Sequence, residues 1–207
     1  MNLTTARLEA MTNDLAERGF GVSDEFLTAD EVASILRLEE FAEYRSTFKK
    51  AGVGNTESRV VIENVRGDFI HWIGRHSAKP ALEVYIRRLD ELRRYLNENL
   101  FLSLKDLELH LTVYPIGTFY RRHLDQFRND DHRKLSVILY LNEGWTQHHG
   151  GQLRLYREGT HEDILPVSGR LLCFRSDQIE HEVLPATRER LSLTGWMLDR
   201  LSDTIYR

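Results

Sequence analysis

LELHLTVY, residues 107–114, alternates strictly: Leu107, Leu109, Leu111 and Val113 share one face, and Glu108, His110, Thr112 and Tyr114 share the other. Successive side chains of a strand point to opposite faces, so a period of two marks a half-buried strand. The same reading extends to LSVILYLN (135–142), GQLRLY (151–156), RLLCF (170–174) and RLSLTGW (190–196). Turn signals separate these runs at Glu143-Gly144, Gly150-Gly151 and Ser168-Gly169. Short strands in series, preceded by helices, predict a β-sandwich or barrel backed by a helical layer.

Before residue 105 the period is helical. Leu8, Met11 and Leu15 recur at helical spacing, with Gly19 as the stop. Thr28 followed by Glu31 reads as a capping box. It opens a helix through Val32, Ile35, Leu36, Phe41, Ala42, Arg45 and Phe48, which Gly52 and Gly54 end. A further helix, ALEVYIRRLDELRRYLNENLF (81–101), carries one stripe of Leu82, Tyr85, Ile86, Leu89, Leu92, Leu96 and Leu100. The expectation is an α+β chain with a mainly β core. One domain spans 1–207, with 1–104 mostly helical support and 105–207 the core that carries the site.

Composition narrows the function. The chain has 207 residues, within reach of one domain at about 150 residues each. Its net charge of −4 argues against a nucleic-acid coat or a polybasic membrane anchor, since both need a large positive field. Cys173 is the single cysteine, which excludes a disulfide framework and a cysteine-rich zinc site and fits a reducing compartment. No run of 18 apolar residues and no signal-peptide pattern occurs, so the expected location is cytoplasmic, without membrane or nucleic-acid partners.

Nine histidines invite a search for metal ligands. A His-x-Asp triplet puts two ligands on one face of a strand. With a distant second His it can form a facial triad suited to non-haem Fe(II). Two such triplets occur. His161-Glu162-Asp163 lies in the charged REGTHEDILP and reads as a solvated turn. His123-Leu124-Asp125 follows a strand and a Gly117 turn, and His181 follows RLLCF and another turn.

Strand parity adds a second clue. Arg190, Ser192, Thr194 and Trp196 share a face of one strand; Ser136, Ile138 and Tyr140 share a face of another. Neither strand offers an inward carboxylate for Arg190, and a buried unpaired charge is very costly. The carboxylate of a small ligand, gripped by the guanidinium and by hydroxyl donors, resolves this. A dicarboxylate that also chelates a metal, 2-oxoglutarate, fits both clues.

The ordered segments VRGDFIHWIG (65–74), VYPIGTFYRRHLD (113–125), RKLSVILYLNEGW (133–145), GGQLRLY (150–156) and HEVLPATRERLSLTGW (181–196) resemble the Fe(II)- and 2-oxoglutarate-dependent prolyl hydroxylases. The likeness is strongest to the hypoxia-inducible-factor group and its bacterial relatives. It implies a double-stranded β-helix, or jelly roll. His123, Asp125 and His181 match the metal ligands. Arg190 matches the residue that pairs with the far carboxylate of 2-oxoglutarate. Tyr140 matches the tyrosine that assists it, and Tyr114, Thr194 and Ile138 match residues of the cosubstrate pocket. Arg133, Trp196 and Asp68 match the substrate entrance, with Asp68 and Arg133 expected to pair.

The resemblance further implies Fe(2+), 2-oxoglutarate and O2 as cofactors, with ascorbate in support. The reaction is 4-hydroxylation of a prolyl residue in a protein loop, and elongation factor Tu is the leading partner. A loop within residues 49–61 either covers the substrate or is an ordinary surface connection. Arg121, Arg122, Arg128, Arg133 and Lys134 either steer an acidic peptide or form a solvated rim. Three rivals remain: an oxygenase for another amino acid or small molecule, a silent jelly-roll binding module, and a jelly-roll metal enzyme that is not an oxygenase.

Overall fold

The computed structural model describes residues 3–52, 64–74, 79–126 and 130–201. In chain order the elements are α1 (Thr5–Arg18), β1 (Phe20–Ser23), α2 (Ala29–Leu36), α3 (Glu39–Ala42), α4 (Tyr44–Thr47), β2 (Lys49–Lys50), β3 (Phe69–Trp72) and α5 (Pro80–Leu100). There follow β4 (Asp106–Tyr114), β5 (Tyr120–His123), β6 (Arg133–Tyr140), a 3-10 turn at Gln147–His149, β7 (Leu153–Arg157), β8 (Thr160–Ile164), β9 (Leu171–Arg175), β10 (Glu180–Val183) and β11 (Arg190–Leu198). Among the described residues no helix is long and apolar enough to cross a membrane.

Local chemistry explains the helix ends. Gly19 takes φ +76° and its N–H donates to the Leu15 carbonyl, closing α1 with a left-handed cap. Thr28 and Glu31 form the reciprocal capping box at the start of α2. The helix expected from residue 28 to Phe48, however, is three pieces. Ile35 and Phe41 are six residues apart, so an unbroken helix would turn Phe41 about 120° away from Ile35. Breaking at Arg37–Leu38 lets Val32, Ile35, Phe41 and Phe48 all reach the core. Residues 53–61 of the expected loop lie outside the described residues.

The strands form two antiparallel sheets, ordered β1-β9-β6-β11-β4-β3-β2 and β5-β10-β7-β8. Three short strands from the first half of the chain thus join the edges of the larger sheet. Sequence periodicity misses them because two to four residues show no alternation. The larger sheet has two distinct faces. Leu109, Leu111, Val113, Leu135, Val137, Leu139, Leu193 and Met197 pack outward against α1, α2 and α5. The inner face meets the smaller sheet through a second cluster that includes Phe20, Ile138, Leu153, Leu155, Phe174 and Val183. The result is a helical layer, a seven-stranded sheet and a four-stranded sheet: the helix-backed β-sandwich that the periodicity predicts, in the jelly-roll form that the resemblance implies.

His161 and Asp163 differ from their reading as a solvated turn. They lie on β8, in register with Tyr156 and Arg154 of β7, and Arg154 grips Asp163 with bonds of 2.8 and 2.9 Å. Exposed cross-strand ion pairing, not metal chemistry, accounts for that triplet.

Phe101 ends α5 at φ +54° with 85% of its surface exposed, and its N–H donates to the Asn97 carbonyl. A left-handed non-glycine residue costs roughly 1–2 kcal/mol. Phe101→Gly should therefore raise unfolding stability by about 1 kcal/mol, read as a higher urea midpoint at unchanged slope. An unchanged or lower midpoint would show that the ring contributes packing that its exposure conceals.

Candidate metal centre

The register of the larger sheet sets its inner face in rows. Arg190 stands opposite Tyr114; Ser192 lies between Thr112 and Tyr140; Thr194 between His110 and Ile138; Trp196 between Glu108 and Ser136. The side chains that parity assigns to one face therefore line one surface, running from a cationic end at Arg190 to an aromatic end at Trp196.

The ligand candidates come from the other sheet and the bend beyond it. His123 and His181 are direct partners across β5 and β10, with ring centroids 4.3 Å apart. Strand β5 ends at His123, so Asp125 sits just past it. The bend is tied by Gln126, whose N–H donates to the Ser176 carbonyl and whose side-chain amide donates to the Arg133 carbonyl. Asp125 Oδ1 lies 3.5 Å from His123 Nε2 and Oδ2 lies 3.7 Å from His181 Nε2. One atom from each residue can be chosen so that all three fall within 4.8 Å of one another.

Hydrogen bonds orient these groups. A carbonyl only accepts, so the Nδ1 atoms facing the Arg121 carbonyl (2.7 Å) and the Ile179 carbonyl (3.2 Å) carry the protons. Both Nε2 lone pairs are then left for a ligand, as metal-binding imidazoles require. The His123 ring stacks on Tyr120 at 3.6 Å, and Arg66 covers Tyr120's ring at 4.2 Å. Ser136 of β6 donates to Asp125 Oδ2 at 2.6 Å and meets Ser176 at 2.9 Å, which ties the carboxylate to the opposite sheet.

Burial would raise the Asp125 carboxyl, but His181, His123 and Ser136 together hold it well below the usual carboxylate range. Burial, with a smaller contribution from His123, pushes His181 down to about 4 against the pull of Asp125. One carboxylate and a neutral imidazole are the protonation states a divalent cation needs. The donor set, two nitrogens and one oxygen, suits Fe(II) with positions left open.

At the cationic end Arg190 is 2% exposed. Its Nε donates to the Gly151 carbonyl at 2.9 Å, and its guanidinium lies about 5 Å from the Tyr114 and Tyr140 rings. Arg190 Nη2 and the Tyr140 hydroxyl are both buried without a hydrogen-bond partner among the described residues. Burial raises the Tyr140 and Tyr114 hydroxyls, so each stays a donor. Two neighbouring donors without a partner suit a carboxylate. The residues thus fit both a ferrous ion and a keto-diacid.

The entrance differs from expectation. Asp68 does not pair with Arg133. Arg66, two residues away, takes both its oxygens at 2.7 and 2.6 Å. Arg133 instead meets Glu108 at 3.2 Å and covers the Trp196 ring at 3.6 Å. The reason is reach: Arg66 and Asp68 share a face at i and i+2, whereas Glu108 presents its carboxylate beside Arg133. Of the basic rim, Arg122 pairs with Glu180 and Lys134 with Asp199, while Arg128 lies outside the described residues. His110 stands between Trp72 and Trp196 at centroid distances of 4.9 and 5.5 Å. Sequence reading placed His110, Glu108 and Ser136 on the correct face without seeing their roles, because face membership alone does not name a partner.

Comparison with known proteins agrees with this geometry. A profile of the 2OG-Fe(II) oxygenase superfamily matches residues 109–198. The chain is 31% identical to prolyl hydroxylase EGLN3 of Mus musculus, over 96% of this chain and 86% of that protein. The chain belongs to the Fe(II)- and 2-oxoglutarate-dependent prolyl hydroxylase family. A crystal structure of a Pseudomonas putida prolyl-4-hydroxylase is 45% identical, with a TM-score of 0.82, covering 94% of this chain and all of that one. A Trichoplax adhaerens prolyl hydroxylase, in complex with a peptide fragment of the hypoxia-inducible-factor oxygen degradation domain, is 31% identical. Its TM-score is 0.81, and the match covers 93% of this chain and 89% of that one. The protein is therefore a 2-oxoglutarate-dependent dioxygenase, and prolyl hydroxylases use Fe(II), 2-oxoglutarate and O2.

His110 makes the pH dependence of this dioxygenase's stability testable. Burial first, then the Arg66 charge, pushes its pKa down to about 3. Between that value and the unfolded value of about 6.5, only the unfolded chain binds the proton. Stability is complete above about pH 6.5 and falls as pH drops, by at most about 1.4 kcal/mol per pH unit. His181 adds a slope of the same sign. Metal-free His110→Gln should show a shallower loss of stability between about pH 6 and about pH 4.5, measured by urea unfolding. An unchanged slope would mean His110 is charged in the fold.

Proposed function

We propose that this dioxygenase 4-hydroxylates a prolyl residue in a protein loop. His123, Asp125 and His181 hold Fe(II), and Arg190 with Tyr140 receives the far carboxylate of 2-oxoglutarate. The observation that carries the reading is the pair of buried donors, Arg190 Nη2 and Tyr140 OH, on the same inner face as the Ser136 that holds Asp125. A silent binding module has no use for a buried, half-satisfied guanidinium, and a metal enzyme without a diacid cosubstrate has none either.

Iron and 2-oxoglutarate, when bound, supply the oxidising chemistry, in which the keto acid becomes succinate and CO2 while one oxygen atom enters the substrate C–H bond. The protein's part is orientation. Asp125 would contribute the negative charge, and the Ser136 bond holds its carboxylate beside the two imidazoles. Arg190 and Tyr140 would hold the far carboxylate of the cosubstrate, with Tyr114, Thr194 and Ile138 beside them on the same face. Trp196 and Arg133 form the aromatic, cationic side of the entrance. Asp68 acts there by holding Arg66 against Tyr120, and so backs the His123 ring.

For the protein partner we propose elongation factor Tu, on the likeness to bacterial-type enzymes of this family, with turnover in the cytoplasm and ascorbate in a supporting role. Incubation with Fe(II), 2-oxoglutarate and the factor should yield succinate together with a peptide one oxygen atom heavier at proline. Stimulated succinate with no proline oxidised would favour a different substrate class. Asp125→Ala should abolish turnover and weaken metal binding. Arg190→Ala should weaken 2-oxoglutarate binding by about 2–4 kcal/mol, the loss of a charge-assisted bidentate contact. Unchanged 2-oxoglutarate affinity in Arg190→Ala would show that the cosubstrate lies in another direction.

A further inference from the structure

Arg190 is held by the loop that carries Gly150 and Gly151. We infer that Trp145, acting through the Gly150–Gly151 backbone, is the positioning residue that aims the Arg190 guanidinium and so sets the preference for a diacid; this rests on the reading of Arg190 as the diacid anchor. The Trp145 indole is buried, and its Nε1 donates to the Gly150 carbonyl at 2.9 Å. The next carbonyl, Gly151, accepts from Arg190 Nε at 2.9 Å. The Gly151 N–H donates to the Pro185 carbonyl, which ties the loop to the segment leading into β11.

With Nε engaged by a carbonyl, the guanidinium plane is fixed and its Nη2 is turned to the unanswered side. The glycines are required for this closeness. Gly150 and Gly151 sit at φ +69° and +71°, where L side chains are strained. A Cβ on Gly151 would lie 3.0 Å from the Ala186 Cβ, 3.1 Å from the Trp145 ring and 3.4 Å from Arg190 Cδ. The backbone under Arg190 is clamped separately. Asn142 accepts from the Leu191 N–H at 2.7 Å and donates to the Leu191 carbonyl at 3.0 Å. The loop therefore controls the direction of the side chain, and the strand controls its root.

The test compares two keto acids on the Mn(II)-loaded protein, followed by solvent-proton relaxation. 2-Oxoglutarate reaches both the cation and Arg190, whereas pyruvate has no far carboxylate. Trp145→Phe keeps an aromatic ring, though a smaller one, and deletes the donor; it should weaken 2-oxoglutarate about tenfold, the equivalent of one hydrogen bond, and leave pyruvate as in the parent protein. Gly151→Ala should act in the same direction through a different atom, so a folding defect in one variant does not decide the outcome. Equal weakening of both acids would reduce Trp145 to general support and overturn the inference. Unchanged 2-oxoglutarate affinity in both folded variants would overturn it as well. Arg190→Met separates the two levels: if it leaves the preference for 2-oxoglutarate over pyruvate intact, the anchor itself is misassigned and both readings fall.

Discussion

The Asp125 carboxylate lies largely buried beside two imidazoles, and His181, His123 and the hydrogen bond from Ser136 together keep it charged there. Taking a carboxylate out of water is costly unless donors and charges replace the lost hydration. Here the replacements come from both sheets: His123 and His181 from the smaller one, Ser136 from the larger. Asp125 thus joins the two layers at the point where the chemistry sits. The carbonyls of Arg121 and Ile179 turn each imidazole so that its Nε2 faces the carboxylate. A cation with open positions is the natural fourth member of this cluster, and a closed ring of protein ligands is not what these residues build.

The opposite end of the same face solves the complementary problem. Arg190 is more deeply buried than His123 or Asp125, yet it has no carboxylate partner among the described residues. Glu108 is the inward acid on β4, but it stands opposite Trp196 and is engaged with Arg133, at the far end of the row from Arg190. The face therefore separates its charges. One acid–base pair closes the entrance, while the cation at the other end keeps a donor for a ligand. That separation lets one small molecule be held at two points, one by coordination and one by charge.

How much of this was legible in sequence follows from what a period can encode. A period of two fixes which side chains share a face, so the rows led by Arg190, Ser192, Thr194 and Trp196 could be written down before any coordinates. The capping box at Thr28 and the stop at Gly19 were legible because each is a local hydrogen-bond pattern. Partners across the fold were not. Arg133 and Asp68 read as a pair from resemblance, yet each finds a nearer group, Glu108 and Arg66 respectively. The short strands β1, β2 and β3 were silent because their pairing is set by neighbours far along the chain. The break after α2 was hidden by apolar residues that look continuous until the six-residue step from Ile35 to Phe41 is converted to an angle.

The helical layer, which contributes no ligand, still controls the site. A strand slipped by one residue would exchange its faces, moving Leu193 inward and Thr194 outward. What forbids the slip on β11 is the outward set of Leu193 and Met197, packed with Leu109, Leu111 and Val113 against α1, α2 and α5. Each of these buried leucines, truncated to alanine, removes roughly 2–5 kcal/mol of packing. Register errors forfeit several at once. The apolar side of the sheet thereby enforces the order of the polar side, and the distance from the Arg190 row to the Ser136 row is maintained by contacts on the face the substrate never meets.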